Sequence, residues 1–129
     1  MLVHASCVLW KSKGILFLGD SGSGKSTACL RLIEKGATLI ADDYVEISND
    51  LIASCPNTIF GKLEVRGVGI CSFPAKKETK LHMAIHCTAN FNAPERMPEN
   101  KRFNGLKLFT LCPFDCLFCT KVELLLNKI

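Results

Sequence analysis

Gly19-Asp20-Ser21-Gly22-Ser23-Gly24-Lys25-Ser26 decides how the rest of the chain is read. The octapeptide meets the pattern G-x-x-x-x-G-K-[ST] at every fixed position. Before it stands the short apolar run Ile15-Leu16-Phe17-Leu18. After it Ala28, Leu32 and Lys35 share one side at helical spacing, while Cys29, Leu30 and Ile33 widen the apolar face. Strand, glycine-rich loop and helix form the context that this pattern needs. The glycines let backbone N–H groups wrap an anion, and the helix N-terminus adds the positive end of its dipole. Gly19, Asp20, Ser21, Gly22, Ser23, Gly24, Lys25, Ser26 and the adjoining Thr27 are therefore expected to bind a nucleoside triphosphate, ATP with Mg²⁺. Lys25 should reach the β- and γ-phosphates from a position open to solvent or ligand, and the Ser26 hydroxyl should ligate the metal.

Working outward, Gly36 supplies a helix stop. Thr38 to Ala41 is a second buried strand that runs into Asp42-Asp43. An acid after a neighbouring strand is where P-loop chemistry holds Mg²⁺ or its waters. Two adjacent carboxylates at a strand end cannot point the same way, so one can serve the metal and the other abstract a proton. The bland alternative is a turn with two solvated aspartates. Upstream, Leu2 to Trp10 reads as a strand and Lys11 to Gly14 as a tight turn. Downstream, Val45–Ile47 and Leu51–Ala53 form a hairpin about Asn49-Asp50, and Cys55 to Gly61 is turn-rich. Leu63 to Phe73 is strand-like, interrupted by Gly67 and Gly69. Over Lys80 to Thr88, Leu81, Met83, Ile85 and Cys87 face one way and His82, Ala84 and His86 the other, the pattern of a half-buried strand. Asn90 to Gly105 is polar with two prolines and reads as a long loop, Leu106 to Leu111 as a strand, and Thr120 to Ile129 as a short helix. Many strands and few helices make this an α/β protein, a single P-loop domain over residues 1–129 with a mixed sheet.

The composition fits. Of 129 residues, 48% are hydrophobic and 22% charged, enough to build one core without staples. A net charge of +4 with no basic run suits phosphates and argues against nucleic acid. No apolar run can span a bilayer, and the N-terminus lacks a basic leader, so the expected location is the cytoplasm. In a reducing compartment the eight cysteines act as small hydrophobes, and Cys7, Cys29, Cys71 and Cys87 lie in apolar segments accordingly. Cys112, Cys116 and Cys119 have a cluster-binding spacing, but too little chain follows and no fourth ligand is adjacent, so it reads as coincidence. His82 and His86 on a strand stand roughly 13 Å apart and cannot share an ion. Trp10 and the eight phenylalanines read as core, not as base-stacking platforms.

Gly19 to Ser26, then Ala41-Asp42-Asp43, then Leu63-Glu64-Val65-Arg66-Gly67-Val68-Gly69-Ile70 together resemble the C-terminal kinase domain of HPr kinase/phosphorylase. The last stretch is the most distinctive, since generic P-loop enzymes do not carry it after the aspartate pair. His4 falls where that family places an active-site histidine, so the resemblance runs from His4 to Ile70. It implies an HPr kinase C-terminal-domain-like fold and the short form without an N-terminal domain. The implied activity is transfer of phosphate from ATP·Mg²⁺ to a serine of an HPr-like phosphocarrier protein, the regulatory step of a phosphotransferase system, with the reverse phosphorylase reaction beside it. A homo-oligomer is compatible with it. By the same resemblance Lys25 binds phosphates, Ser26 the metal, and Glu64 contributes to the metal site, which leaves Asp42 as the metal-serving member of the aspartate pair. Asp43 exchanges the serine proton and His4 assists it. Arg66 lies in the signature, and Arg96 and Arg102 are the candidates for a further phosphate-contacting arginine. The rival readings are a generic P-loop kinase or NTPase acting on another acceptor, and a nucleotide-binding regulatory module without turnover.

Overall fold

The computed structural model describes residues 1–90 and 101–129. The first strands are β1 (Leu2–Val3), β2 (Ser6–Trp10) and β3 (Lys13–Leu18). β2 and β3 pair antiparallel through the two-residue turn Lys11-Ser12, both at positive φ (52° and 65°), which matches the twist of the flanking strands. The single strand expected from Leu2 to Trp10 is broken at His4-Ala5. There the chain leaves its pairing with β5 (Val45–Ile47) and enters the main sheet.

Helix α1 (Lys25–Ile33) follows the glycine-rich loop and ends as its sequence demands. Gly36 adopts φ 100°, the Gly36 N–H donates to Ile33 O, and the Ala37 N–H donates to Leu32 O. That paired geometry satisfies carbonyls the helix would otherwise orphan. The chain then forms β4 (Thr38–Ala41), β5, β6 (Ile52–Ser54) and the hairpin β7 (Lys62–Val65) with β8 (Gly69–Ser72). In this hairpin Gly69 belongs to β8 and the turn is made at residues 66–68.

The long strand β9 (Glu78–Cys87) carries the main sheet. It pairs β6 antiparallel near its start, β3 parallel along one side and β11 (Leu106–Leu111) parallel on the other. The short β10 (Lys101–Phe103) pairs β11, so the last part of the expected Asn90–Gly105 loop is a strand, and residues 91–100 lie outside the described residues. α2 (Phe118–Leu126) closes the chain.

Both sheet faces are covered. Val8, Ile15, Phe17, Met83 and Ile85 pack under α1 and α2 against Ala28, Leu32, Phe118 and Val122. On the other face Cys7, Leu16, Ile40 and Ala84 pack with Val45, Ile47, Ala53 and Leu106. The alternation expected of β9 holds from Met83 to Cys87 but not at Leu81, which lies in the second cluster while Met83 lies in the first. The cause is a register shift. Gly14 pairs Leu81 and Ile15 pairs Met83, leaving His82 as an extra residue on β9. A one-residue bulge inverts the faces on either side of it. His82 Nδ1 accepts the Gly14 N–H at 3.2 Å, which holds the bulge. Ala84 is fully buried between the exposed His82 and His86, so the second face of β9 is covered only at its middle.

Cys7, Cys29 and Cys87 are buried in these clusters, while Cys71 is only partly covered, contrary to expectation. All eight cysteines are free. Burial pushes all three buried thiols up, Cys87 to about 12. Since the thiolate is the reactive form, a thiol reagent at pH 8 should modify exposed Cys116 first and reach Cys7, Cys29 and Cys87 only on unfolding. Mass spectrometry of partly labelled protein checks this order. Gly14 offers a sharper test of the fold. A Cβ there would stand 2.1 Å from Lys80 O, a backbone atom that cannot give way. Gly14→Ala should cost at least the 1–3 kcal/mol typical of overpacking, lowering the melting temperature by roughly 5 °C or more. An unchanged melting curve would contradict the close β3–β9 approach.

Candidate active site

The strand directions set the site. β2 is antiparallel to both β3 and β4, and β9 and β11 run parallel to β3, so four strands end on one edge of the sheet. Gly19, Asp42, Thr88 and Cys112 follow those ends, the position where open α/β sheets bind ligands. Ser6 opens β2 at the same edge, paired with Phe17. A cleft of about 380 Å³ lies there, lined by residues from Ser21 to Thr27 with His4, Ser6, Asp42, Asp43, Glu64, Arg66 and Phe114.

The glycine-rich loop closes around its own lysine. Lys25 is only 8% exposed, and its Nζ donates to Gly19 O at 2.7 Å and Asp20 O at 3.1 Å. It is therefore shielded from solvent yet still faces the cleft, the ligand-facing of the two positions expected. An ammonium has three donors, and one is left for a phosphate oxygen at the cleft wall. At the start of α1 no side chain caps the helix. Its first backbone bond is from Ala28 N–H to Gly24 O, so the N–H groups of Lys25, Ser26 and Thr27 have no acceptor within the helix. Ser23 Oγ is buried with no hydrogen-bond partner among the described residues. A cradle of unmatched donors with one cation beside it fits a polyphosphate.

The two aspartates separate cleanly. Asp42 is 8% exposed, and its Oδ1 accepts hydroxyl protons from Ser6 at 2.7 Å and from Ser26 at 2.9 Å. The tie joins the loop serine to the carboxylate after β4, the pair expected around Mg²⁺, and leaves Oδ2 for a metal or its waters. Asp43 is exposed and sits at φ 75°, with the Tyr44 N–H donating back to Asp42 O at 2.9 Å. That is the rare γ-turn of positive φ, a strained geometry that aspartate tolerates better than most residues. It is held by the Ala5 N–H on Asp43 O at 3.1 Å. The turn sends one carboxylate inward and the other into the cleft. His4 Nε2 meets Asp43 Oδ1 at 3.0 Å, and the His4 ring packs on Tyr44 with centroids 5.3 Å apart.

Glu64 and Arg66 reach the cleft on β7 and its turn, with Leu63 anchoring the strand in the core. Among the described residues no three His, Cys, Asp or Glu side chains gather closely enough to hold an ion together. Glu64 lines the same cleft as Ser26 and Asp42. Arg102 lies on β10 with its Nη1 on Gly105 O at 3.2 Å and does not line the cleft. Arg96 lies outside the described residues. Two cleft residues escaped the sequence reading. Ser6 is one, and its signal was a polar residue inside the otherwise apolar run from Ala5 to Trp10. Phe114 is the other, taken for core but 45% exposed. No helix among the described residues is long and apolar enough to cross a membrane.

Comparison with known proteins bears on the family and the fold. The model of the HPr Serine kinase C-terminal domain matches residues 1–104. The HPr kinase/phosphorylase of Clostridium botulinum (strain Eklund 17B / Type B) is 52% identical over 113 residues, covering 78% of this chain and 37% of that protein. The Clostridium tetani protein of the same name is 51% identical over 65 residues, covering 48% of this chain and 21% of its own. The chain thus spans well under half the length of these curated relatives. The solved structure of the Hpr(Ser) kinase/phosphatase from Coxiella burnetii superposes with a TM-score of 0.81 over 99% of this chain and 95% of that one. At 23% identity that likeness speaks for the fold alone.

The shared acceptor Asp42 makes a quantitative test available. Ser6→Ala, Asp42→Ala and the double variant, unfolded in urea, should show a coupling of about 1.5–3 kcal/mol, the range for a hydrogen bond to a charged group. Additive effects would mean that the two side chains do not share the bond.

Proposed function

The chain belongs to the HPr Serine kinase C-terminal domain family, and from that premise we propose that residues 1–129 form an ATP- and Mg²⁺-dependent kinase domain acting on a serine of an HPr-like phosphocarrier protein in the cytoplasm. The observation that carries the proposal is the division of labour between Asp42, tied to the loop serine, and Asp43, paired with His4 at the cleft wall. Mg²⁺, held by Ser26 and Asp42, would neutralise the charge that builds on the β- and γ-phosphates. The free N–H groups at the start of α1 and the third donor of Lys25 orient the phosphates. The Asp43 carboxylate takes the proton of the seryl hydroxyl as its oxygen bonds to the γ-phosphorus. The bond from that phosphorus to the β–γ bridging oxygen breaks, and ADP departs. His4 fixes the Asp43 carboxylate through the bond to Oδ1 and leaves Oδ2 for the proton. In the reverse, phosphorylase direction an oxygen of inorganic phosphate bonds to the phosphorus as its bond to the serine oxygen breaks, pyrophosphate departs, and the protonated Asp43 returns the proton to the serine oxygen.

A protein acceptor is favoured over a small molecule by the hairpin that borders the cleft. Val68 and Ile70 are each 74% exposed, and Ile70 stands directly across from Glu64 on the same hairpin face. An apolar pair beside reactive groups is a surface that a protein covers. A homo-oligomer is compatible with the same surface.

Asp43→Asn keeps the shape and removes the base. It should leave ATP·Mg²⁺ affinity near normal and reduce transfer of labelled phosphate to an HPr-like protein by at least about a hundredfold. Loss of ATP·Mg²⁺ binding in Asp43→Asn, with loss of turnover alone in Asp42→Asn, would reverse the two roles. If ATP binds but no phosphate moves to any protein, the module is regulatory and not a kinase.

A further inference from the structure

The segment after β11 puts an aromatic side chain on the far side of the glycine-rich loop from Asp43. In the sheet, β3 has β9 and then β11 on one flank, and β2 and then β4 on the other. Asp42 and Asp43 follow β4, whereas Cys112, Pro113 and Phe114 follow β11. The loop lies between them. A triphosphate with its γ-phosphorus at Asp43 therefore directs its nucleoside toward Phe114.

That side chain is held in place, not left loose. Pro113 is buried, and Arg31 of α1 donates to Pro113 O at 2.8 Å, Asp115 O at 2.5 Å and Cys116 O at 3.4 Å. The same guanidinium lies 5.7 Å from the ring centre of the fully buried Phe118. Three carbonyls gripped by one fork fix the segment against the helix. Phe114, between the gripped carbonyls, meets Gly24 at the helix start. A Cβ on Gly24 would stand 3.0 Å from Phe114 Cε2 and 2.9 Å from Pro113 Cγ. Gly24 also holds φ 103°, so the closeness of loop and ring depends on the absence of a side chain there. Thr27, three residues on from Gly24 and four before Arg31, lies on the same side of α1 and also lines the cleft. Phe114 lines the cleft and stays 45% exposed, although it is apolar and its neighbour Phe118 is sealed in the core.

We infer that Phe114 is the stacking platform for the nucleobase of the bound nucleotide, with Thr27 flanking the ribose–phosphate joint. The inference rests on the proposed nucleotide site and adds the part of the ligand the loop does not reach. An aromatic face discriminates weakly between bases, because every base has a π-face. The nucleoside half of ATP should then contribute affinity that an inorganic polyphosphate lacks.

The test compares ATP with inorganic tripolyphosphate, both with Mg²⁺, by calorimetric titration of the whole chain. Unaltered protein should bind ATP more tightly than tripolyphosphate. Phe114→Ala should weaken ATP binding by about tenfold or more, the loss expected for one stacked base, while tripolyphosphate affinity stays unchanged. Phe114→Leu, which keeps an apolar group over Gly24 but no π-face, should lose most of the same increment, and Phe114→Trp should keep it. Equal ATP affinity in Phe114→Ala and the unaltered protein would overturn the inference. So would an equal loss for tripolyphosphate, which would assign Phe114 to the shape of the loop. If the unaltered protein binds neither ligand, it is the nucleotide reading beneath the inference that fails.

Discussion

Strand β9 is the constraint on which the rest depends. It is ten residues long, where the strands beside it have three to six, and it takes three partners, with β6 and β11 sharing one side and β3 the other. Because β3 and β11 are both parallel to it, the glycine-rich loop and the Pro113-Phe114 segment emerge at one edge. A parallel pair cannot be made by a tight turn, so the chain between β3 and β9 is free to build other parts. It supplies α1, the aspartate pair and the β7–β8 hairpin. The His82 bulge, fitted against a bare Gly14, lets one strand serve both the upper core under the helices and the lower core under β5 and β6.

The same edge explains how two neighbouring aspartates acquire opposite environments. β4 ends at Ala41 against Cys7, which puts Asp42 beside the hydroxyl of Ser6 and under the first turn of α1. A carboxylate in that position is sustained by its two hydroxyl donors, since a buried charge without partners is costly. The γ-turn at Asp43 then reverses the next side chain into the open, toward His4. His4 arrives by a different route, from the break between β1 and β2. Strain in the turn, the break in the N-terminal strand and the buried serine are thus parts of one arrangement at the cleft.

The C-terminal segment was the least readable part of the chain. Its three cysteines draw the eye to metal chemistry, yet in the fold Cys116 is exposed and Cys119 Sγ rests against Arg31 O at 3.8 Å. What organises the segment is Arg31, whose forked contacts connect α1 to residues more than eighty positions away. Nothing local in Cys112-Pro113-Phe114-Asp115-Cys116 announces that a helix side chain will hold its carbonyls. Phe114 was for that reason assigned to the core by composition, and only its seat over Gly24 gives it a place in the cleft.

Local chemistry in the sequence determined a good deal. The loop from Gly19 to Ser26, the helix with its stop at Gly36, β4 ending in two acids and the β5–β6 hairpin are set by contacts within a few residues, and those are what spacing and turn chemistry record. The stretch from Leu63 to Ile70 was distinctive enough to point to the family. Only the tertiary structure decided which aspartate is buried, that Ser6 shares it, that Lys25 is folded onto Gly19 and Asp20, and that Glu64 lines the same cleft. Each of these depends on strands distant in sequence meeting side by side. A one-residue bulge at His82 or a turn of positive φ at Asp43 inverts which side chains face which way, and residue type alone does not record that register.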